Sequence, residues 1–165
     1  MLIVELQEYR QRLLARFAGL VGDLELTVQQ ISSSAWHLPI DGTNWTAHQI
    51  MAHLRDTEKL AFLPRLARIL AEDLPAWERF DRSTWVENYY RPEEPMPEIL
   101  ADYGDLRAHE LARLKNLPPE AWSRLARHPS WGMRTLQWLV EHGLAYSEEH
   151  LRYLRSHQAR RINGS

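Results

Sequence analysis

At 165 residues, 44% hydrophobic and 25% charged, the chain has the size and composition of one globular domain rather than of a disordered segment. Its formal net charge of -2 argues against non-specific attachment to nucleic acid or to an anionic membrane. It contains no cysteine, which excludes disulfides, thiolate metal sites and a cysteine nucleophile, so a thiol can enter the chemistry only with a substrate or cofactor. The opening MLIVELQEYRQ is unlike a secretory signal and no apolar run reaches membrane-spanning length, so a cytoplasmic location is expected.

From about Ile3 to Ser33, Leu6, Leu13, Leu14, Phe17, Leu20, Val21, Leu24 and Leu26 recur at helical spacing. Ser32 to Ser34, then Pro39, Asp41 and Gly42, mark a loop, after which Thr46 or Asn44 caps a second helix running to about Ala71. Pro64 lies inside that helix and predicts a kink or a split, because it removes a backbone donor. Residues 75–97, rich in Pro, Trp, Tyr and charge, read as a long crossover with at most short helical turns. A third helix is predicted from about Pro97 to Asn116, stopped by Pro118 and Pro119. A fourth follows the loop of His128, Pro129 and Gly132, running from about Arg134 to His157. No alternating strand pattern is visible. Four amphipathic segments make an all-α four-helix bundle, one domain over 1–160 with 161–165 as a flexible tail, the simplest way to bury every apolar face.

Helical phase locates the candidate chemistry. At about 100° per residue, the fourth helix turns Leu136, Leu139, Val140, Gly143, Ser147, Leu151 and Leu154 to one arc, with His150 inside it and Tyr146 one turn earlier on the same side. On the second helix His53 flanks the arc of Ala47, Ile50, Leu54 and Ala61. Packed helix axes lie roughly 8–10 Å apart, so two facing imidazoles can share a metal ion; a hydrogen-bonded core histidine is the alternative at each place. Glu110 falls on the side of the third helix that ought to be buried, where a carboxylate needs a metal, an arginine or a histidine, unless it is an edge residue. His142, about 12 Å from His150 along the axis, is too far to be its co-ligand. His37, His48, His109 and His128 are expected in loops or at helix edges; the seven tryptophans are expected mostly in core and loop packing, with lining a pocket mouth as the alternative for Trp36, Trp45 and Trp85.

The run Asn44-Trp45-Thr46-Ala47-His48-Gln49-Ile50-Met51-Ala52-His53-Leu54-Arg55-Asp56-Thr57-Glu58 resembles the helix-2 signature of the DinB/YfiT-like superfamily, a tryptophan followed by an HLxDxE stretch. Leu117-Pro118-Pro119-Glu120-Ala121-Trp122, then His128-Pro129 and Gly132, is similar to that family's link before its last helix, and Phe80-Asp81 with Trp85 to its crossover. The resemblance implies a bundle of up-down-down-up order with a long crossover between helices 2 and 3, often a homodimer. It also implies a divalent metal held by one histidine of helix 2, matching His53, and by an H-x-x-x-H on the last helix. Here that motif reads Tyr146-Ser147-Glu148-Glu149-His150, with tyrosine in the first histidine's place.

The resemblance therefore implies a zinc or nickel site at His53, His150 and Tyr146, and chemistry on a small molecule such as the thiol S-transfer of bacillithiol- or mycothiol-dependent relatives. The competing expectation is a metal-free bundle, binding a small ligand or serving a structural role, whose site degenerated when Tyr146 replaced a ligand. Tyrosine ligates only when ionised, which its free pKa near about 10 makes costly.

Overall fold

The computed structural model describes residues 2–40 and 42–163, with side chains to residue 157. Helix α1, Leu2–Gln29, buries Leu13, Phe17, Leu20, Leu24 and Val28, steps of three and four that place them on one stripe. A 3-10 turn, Ser33–Ala35, leads toward α2, Ala47–Thr57. Of the two capping candidates, Thr46 is the one used. Its hydroxyl accepts from the Gln49 N–H, and the Gln49 side-chain oxygen accepts from the Thr46 N–H, each at 3.1 Å.

Pro64 has the consequence its chemistry demands. The chain passes through a π turn, Glu58–Phe62, before α3, Leu63–Ala71, and the Leu63 N–H bonds back to the Glu58 carbonyl. A proline cannot donate and crowds the carbonyl four residues back, so the ladder widens by one residue and the helix is offset without ending. Residues 72–95 form the crossover, carrying the seven-residue α4, Arg82–Asn88, capped by Asp81. Helix α5, Met96–Leu114, follows, then α6, Leu136–Asn163. The span 161–165 expected as a tail begins inside the last turn of α6; its side chains, and Gly164 and Ser165 altogether, lie outside the described residues.

One element contradicts the sequence pattern. Leu125–His128 (β1) and Gly132–Thr135 (β2) pair antiparallel, and β1 also exchanges hydrogen bonds with the crossover, Trp77 N–H to the Arg127 carbonyl at 2.7 Å and Arg127 N–H to the Pro75 carbonyl at 2.9 Å. Strands of four residues are too short to show alternation, and this pairing draws on a partner about fifty residues away in sequence. The hairpin takes the residues predicted to open the last helix, so α6 begins at Leu136 rather than Arg134.

Side-chain contacts give the direction of every helix. Tyr9 meets Glu141 and Arg16 meets Glu148, so α1 and α6 run parallel. Arg55 meets Asp102 and Glu58 meets Arg107, so α2 and α5 run parallel too. Arg107 donates to the Phe17 carbonyl while Val21 lies beside Gly104, which makes α1 and α5 antiparallel. The order is up-down-down-up. Among the described residues no helix is long and apolar enough to cross a membrane.

Two packing features set the spacing of the bundle. A Cβ on Gly143 would stand 2.9 Å from the Phe62 ring, so the missing side chain lets α6 close on the π turn. Deeper in, the fully buried Arg107 donates to Glu58 (2.8 Å) and Tyr103 (2.7 Å), lies 3.2 Å from Glu110, and places its guanidinium 3.5 Å from the centre of the Phe17 ring. Glu110 is fully buried, as its helical phase indicated, with the Arg107 Nε 3.2 Å away but not hydrogen-bonded to it. Burial, then the charge of Glu58, hold its carboxyl protonated far above the ordinary carboxylate range, against the pull of Arg107.

Gly143→Ala is expected to lower the melting temperature by an overpacking cost of about 1–3 kcal/mol, partly recovered by Phe62→Leu; an unchanged melt would refute the close approach. Because the folded pKa of Glu110 lies above its ordinary 4.5, its contribution is complete below that pH and declines as pH rises. Glu110→Gln, which keeps a neutral donor, should flatten the loss of stability from neutral to alkaline pH in thermal melts. Identical slopes in the two proteins would show that Glu110 carries no such proton.

Candidate functional site

His53, from the middle of α2, is 1% exposed and enclosed by aromatic rings: Trp45 at 5.3 Å and Trp85 at 4.8 Å edge-on, and Phe80 stacked at 5.7 Å. His150 and Tyr146 approach it from α6. Tyr146 Oη and His53 Nε2 are 2.5 Å apart, a short hydrogen bond, and the three rings form a triangle with centroid separations of 4.4, 5.9 and 5.9 Å. His150 Nδ1 lies 2.8 Å from the Tyr146 carbonyl, to which it must donate, so His150 Nε2 keeps its lone pair.

Electrostatics hold both imidazoles neutral. Burial first, then the charges of His150 and Arg82, push His53 down to about 3. Burial lowers His150 as well, opposed by its hydrogen bond to the Tyr146 carbonyl. Burial raises the Tyr146 hydroxyl, with Arg82 pulling the other way. Arg82, from the first turn of α4, sits over the Trp45 ring at 4.6 Å and brings the crossover's positive charge to the site. The His53 Nδ1 atom is buried without a hydrogen-bond partner.

Tyr146 also lines a cavity of about 320 Å³ running away from His53 between the π turn, the crossover and the hairpin, past Phe62, Phe80, Arg65, Arg79, His128 and Trp131. The site thus has a dry aromatic end at His53 and a solvent-connected end beyond Tyr146.

His53, Tyr146 and His150, the three residues singled out in the sequence, come together. Among the described residues no three of His, Cys, Asp and Glu gather in a metal-holding arrangement, so a metal here would need the Tyr146 oxygen. Glu58 faces Arg107 rather than the imidazoles. The tryptophans divide between the two readings: Trp85 is in the core with Trp45 and Trp36 packed against it, Trp45 and Trp85 walling the closed end, while the cavity is lined by Trp131 rather than by any of these three. His48 is not at an edge either. Fully inside, it bridges the Tyr90 hydroxyl (2.8 Å) and the Glu94 carbonyl (2.7 Å), pinning the crossover to α2. His128, expected in a loop or at a helix edge, is instead buried at the end of β1; Arg65 and Arg79 escaped the sequence reading, because the hairpin and the crossover bring the three together and no periodicity links them.

A search of the curated proteins gives no match. Among solved structures, YfiT from Bacillus subtilis, described as a probable metal-dependent hydrolase with an unusual four-helix bundle topology, superposes with a TM-score of 0.85 at 22% identity, covering 94% of this chain and 89% of that one. At that identity the likeness speaks for the fold. The family model of the DinB superfamily matches residues 5–154, from the first turns of α1 to the last buried leucine of α6, and this chain belongs to that superfamily.

Proposed function

We propose that this chain is a metal-dependent DinB-like protein in which His53 Nε2, His150 Nε2 and Tyr146 Oη hold one divalent ion, zinc or nickel, beside a small-molecule cavity. The observation that supports this most is the convergence of two buried, neutral imidazoles on one phenol, with His150 held through Nδ1 so that Nε2 is free. The number of donors, three beside an open cavity, matches a catalytic site, with an ionised phenol standing where a third imidazole or a carboxylate is usual. His53 Nε2 and Tyr146 Oη, 2.5 Å apart, would have to exchange their hydrogen bond for the ion if both were to hold it. Such an ion would supply Lewis-acid polarisation of a substrate oxygen or activation of a thiol.

The chain's own residues do the rest. Arg82 favours the ionised phenol, the rings of Trp45, Phe80 and Trp85 keep water from His53, and the cavity admits substrate on the Tyr146 side. Lacking cysteine, the chain would draw a thiol nucleophile from a small-molecule co-substrate, which is the S-transferase reading. The description of YfiT as a probable metal-dependent hydrolase supports water as the competing nucleophile.

A second reading has its own observation. The His53–Tyr146 hydrogen bond occupies His53 Nε2 and the phenol without an ion, and His53 Nδ1 lacks the acceptor that ligating histidines ordinarily have. In that reading the cavity binds a small organic ligand and the centre no longer ligates.

Elemental analysis of tag-free protein separates the two. The metal reading expects one zinc or nickel per chain, abolished in His53→Ala and His150→Ala and weakened at least about tenfold in Tyr146→Phe. A metal-free wild type that gains tight binding through Tyr146→His alone would sink it in favour of the second. On the loaded protein, conjugation of a small thiol to chlorodinitrobenzene against hydrolysis of 4-nitrophenyl acetate tells transfer from hydrolysis.

A further inference from the structure

The far end of the cavity carries a second cluster that the proposed metal centre does not use. His128, on the hairpin, is 6% exposed, and its Nδ1 accepts the N–H groups of Ser130 (3.1 Å) and Trp131 (3.3 Å). With Nδ1 accepting, the proton of the neutral ring sits on Nε2, and Nε2 is buried with no hydrogen-bond partner. A buried donor without an acceptor is costly, and an acceptor brought by a ligand removes that cost.

Positive charge gathers around it. Arg65 donates to the Glu78 carbonyl at 2.6 Å and rests over Trp131 at 5.1 Å, but among the described residues no carboxylate pairs with it. Burial without a counter-ion pushes Arg65 down to about 10. Burial, then Arg65, Arg79 and His142, push His128 down to about 4, which keeps the ring neutral and its Nε2 a donor. The two acids on the cavity wall are already engaged: Asp81 caps α4 through the Thr84 N–H at 2.9 Å, and Glu58 pairs with Arg107.

We propose that this end of the cavity is an oxyanion-recognition subsite. The His128 Nε2–H and the guanidinium groups of Arg65 and Arg79 bind the carboxylate or phosphate of a small ligand whose apolar body lies along Phe62, Phe80 and Trp131 toward Tyr146. A volume of about 320 Å³ suits a compact organic anion. The binding itself does not depend on a metal; that the bound anion is the substrate rests on the function proposed above.

Isothermal titration with benzoate and phenyl phosphate, against benzyl alcohol as the neutral probe, tests it. The wild type should bind at least one anion roughly tenfold or more tighter than the alcohol, and the tighter anion shows whether carboxylate or phosphate is read. His128→Asn keeps an acceptor for the turn while removing the Nε2 donor, and Arg65→Gln removes the half-buried charge. Each should weaken anion binding about tenfold and leave benzyl alcohol binding unchanged. Arg79→Gln, at the exposed rim, reports on the same subsite if either of those variants fails to fold. His150→Ala should lose metal yet keep anion binding within about twofold, which separates failure of the subsite from failure of the metal centre. Equal binding of alcohol and anions, or anion affinities unmoved in the folded variants, would overturn the proposal and leave His128 and Arg65 as packing for Trp131.

Discussion

Arg107 carries a guanidinium into the middle of the bundle with no exposed surface, and three of the four long segments supply its partners. The Phe17 carbonyl comes from α1, Glu58 from the π turn, and Tyr103 and Glu110 from α5 itself. Removing a charge from water costs several kcal/mol, so this group persists only where the surrounding geometry satisfies it. That demand fixes which way Glu58 faces. His53 lies five residues earlier, about 140° around the helix, and so is turned toward α6. The charge centre and the histidine centre are two faces of one helix.

Along the cavity the environment changes by steps. At the closed end aromatic rings enclose two neutral imidazoles. At the open end arginines and a histidine donor dominate. Tyr146 stands between, touching His53 on one side and the cavity on the other. A residue that replaces a familiar ligand can therefore also be the surface a substrate meets first.

Much of this was legible in the residues. His53 and His150 could be placed because helical phase is regular over many turns, and Tyr146 because four residues return a side chain to the same face. The burial of Glu110 followed from the same arithmetic, and Arg107 is one turn before it on that face. What escaped depends on contacts distant in sequence. The hairpin is held partly by Pro75 and Trp77, His48 is buried by a crossover with no periodicity of its own, and Arg65 gains its role only once Trp131 and His128 fold over it. Pro64 announced a disturbance; that it would appear as a widened turn beginning at Glu58 required the packing of Phe62 against Gly143.

The parallel pairing of α2 with α5 has a kinetic side. Arg55 reaches Glu94 and Glu58 reaches Arg107 only after the crossover has closed loops of about forty to fifty residues, whereas adjacent antiparallel helices need a turn of a few. Contacts between α1 and α6 span still more chain. Such an order raises the mean separation of contacting residues, and chains of that kind fold more slowly than up-and-down bundles of equal size. Phe80, Arg82 and Trp85 belong to that crossover, so the wall around His53 exists only when the long loop is closed.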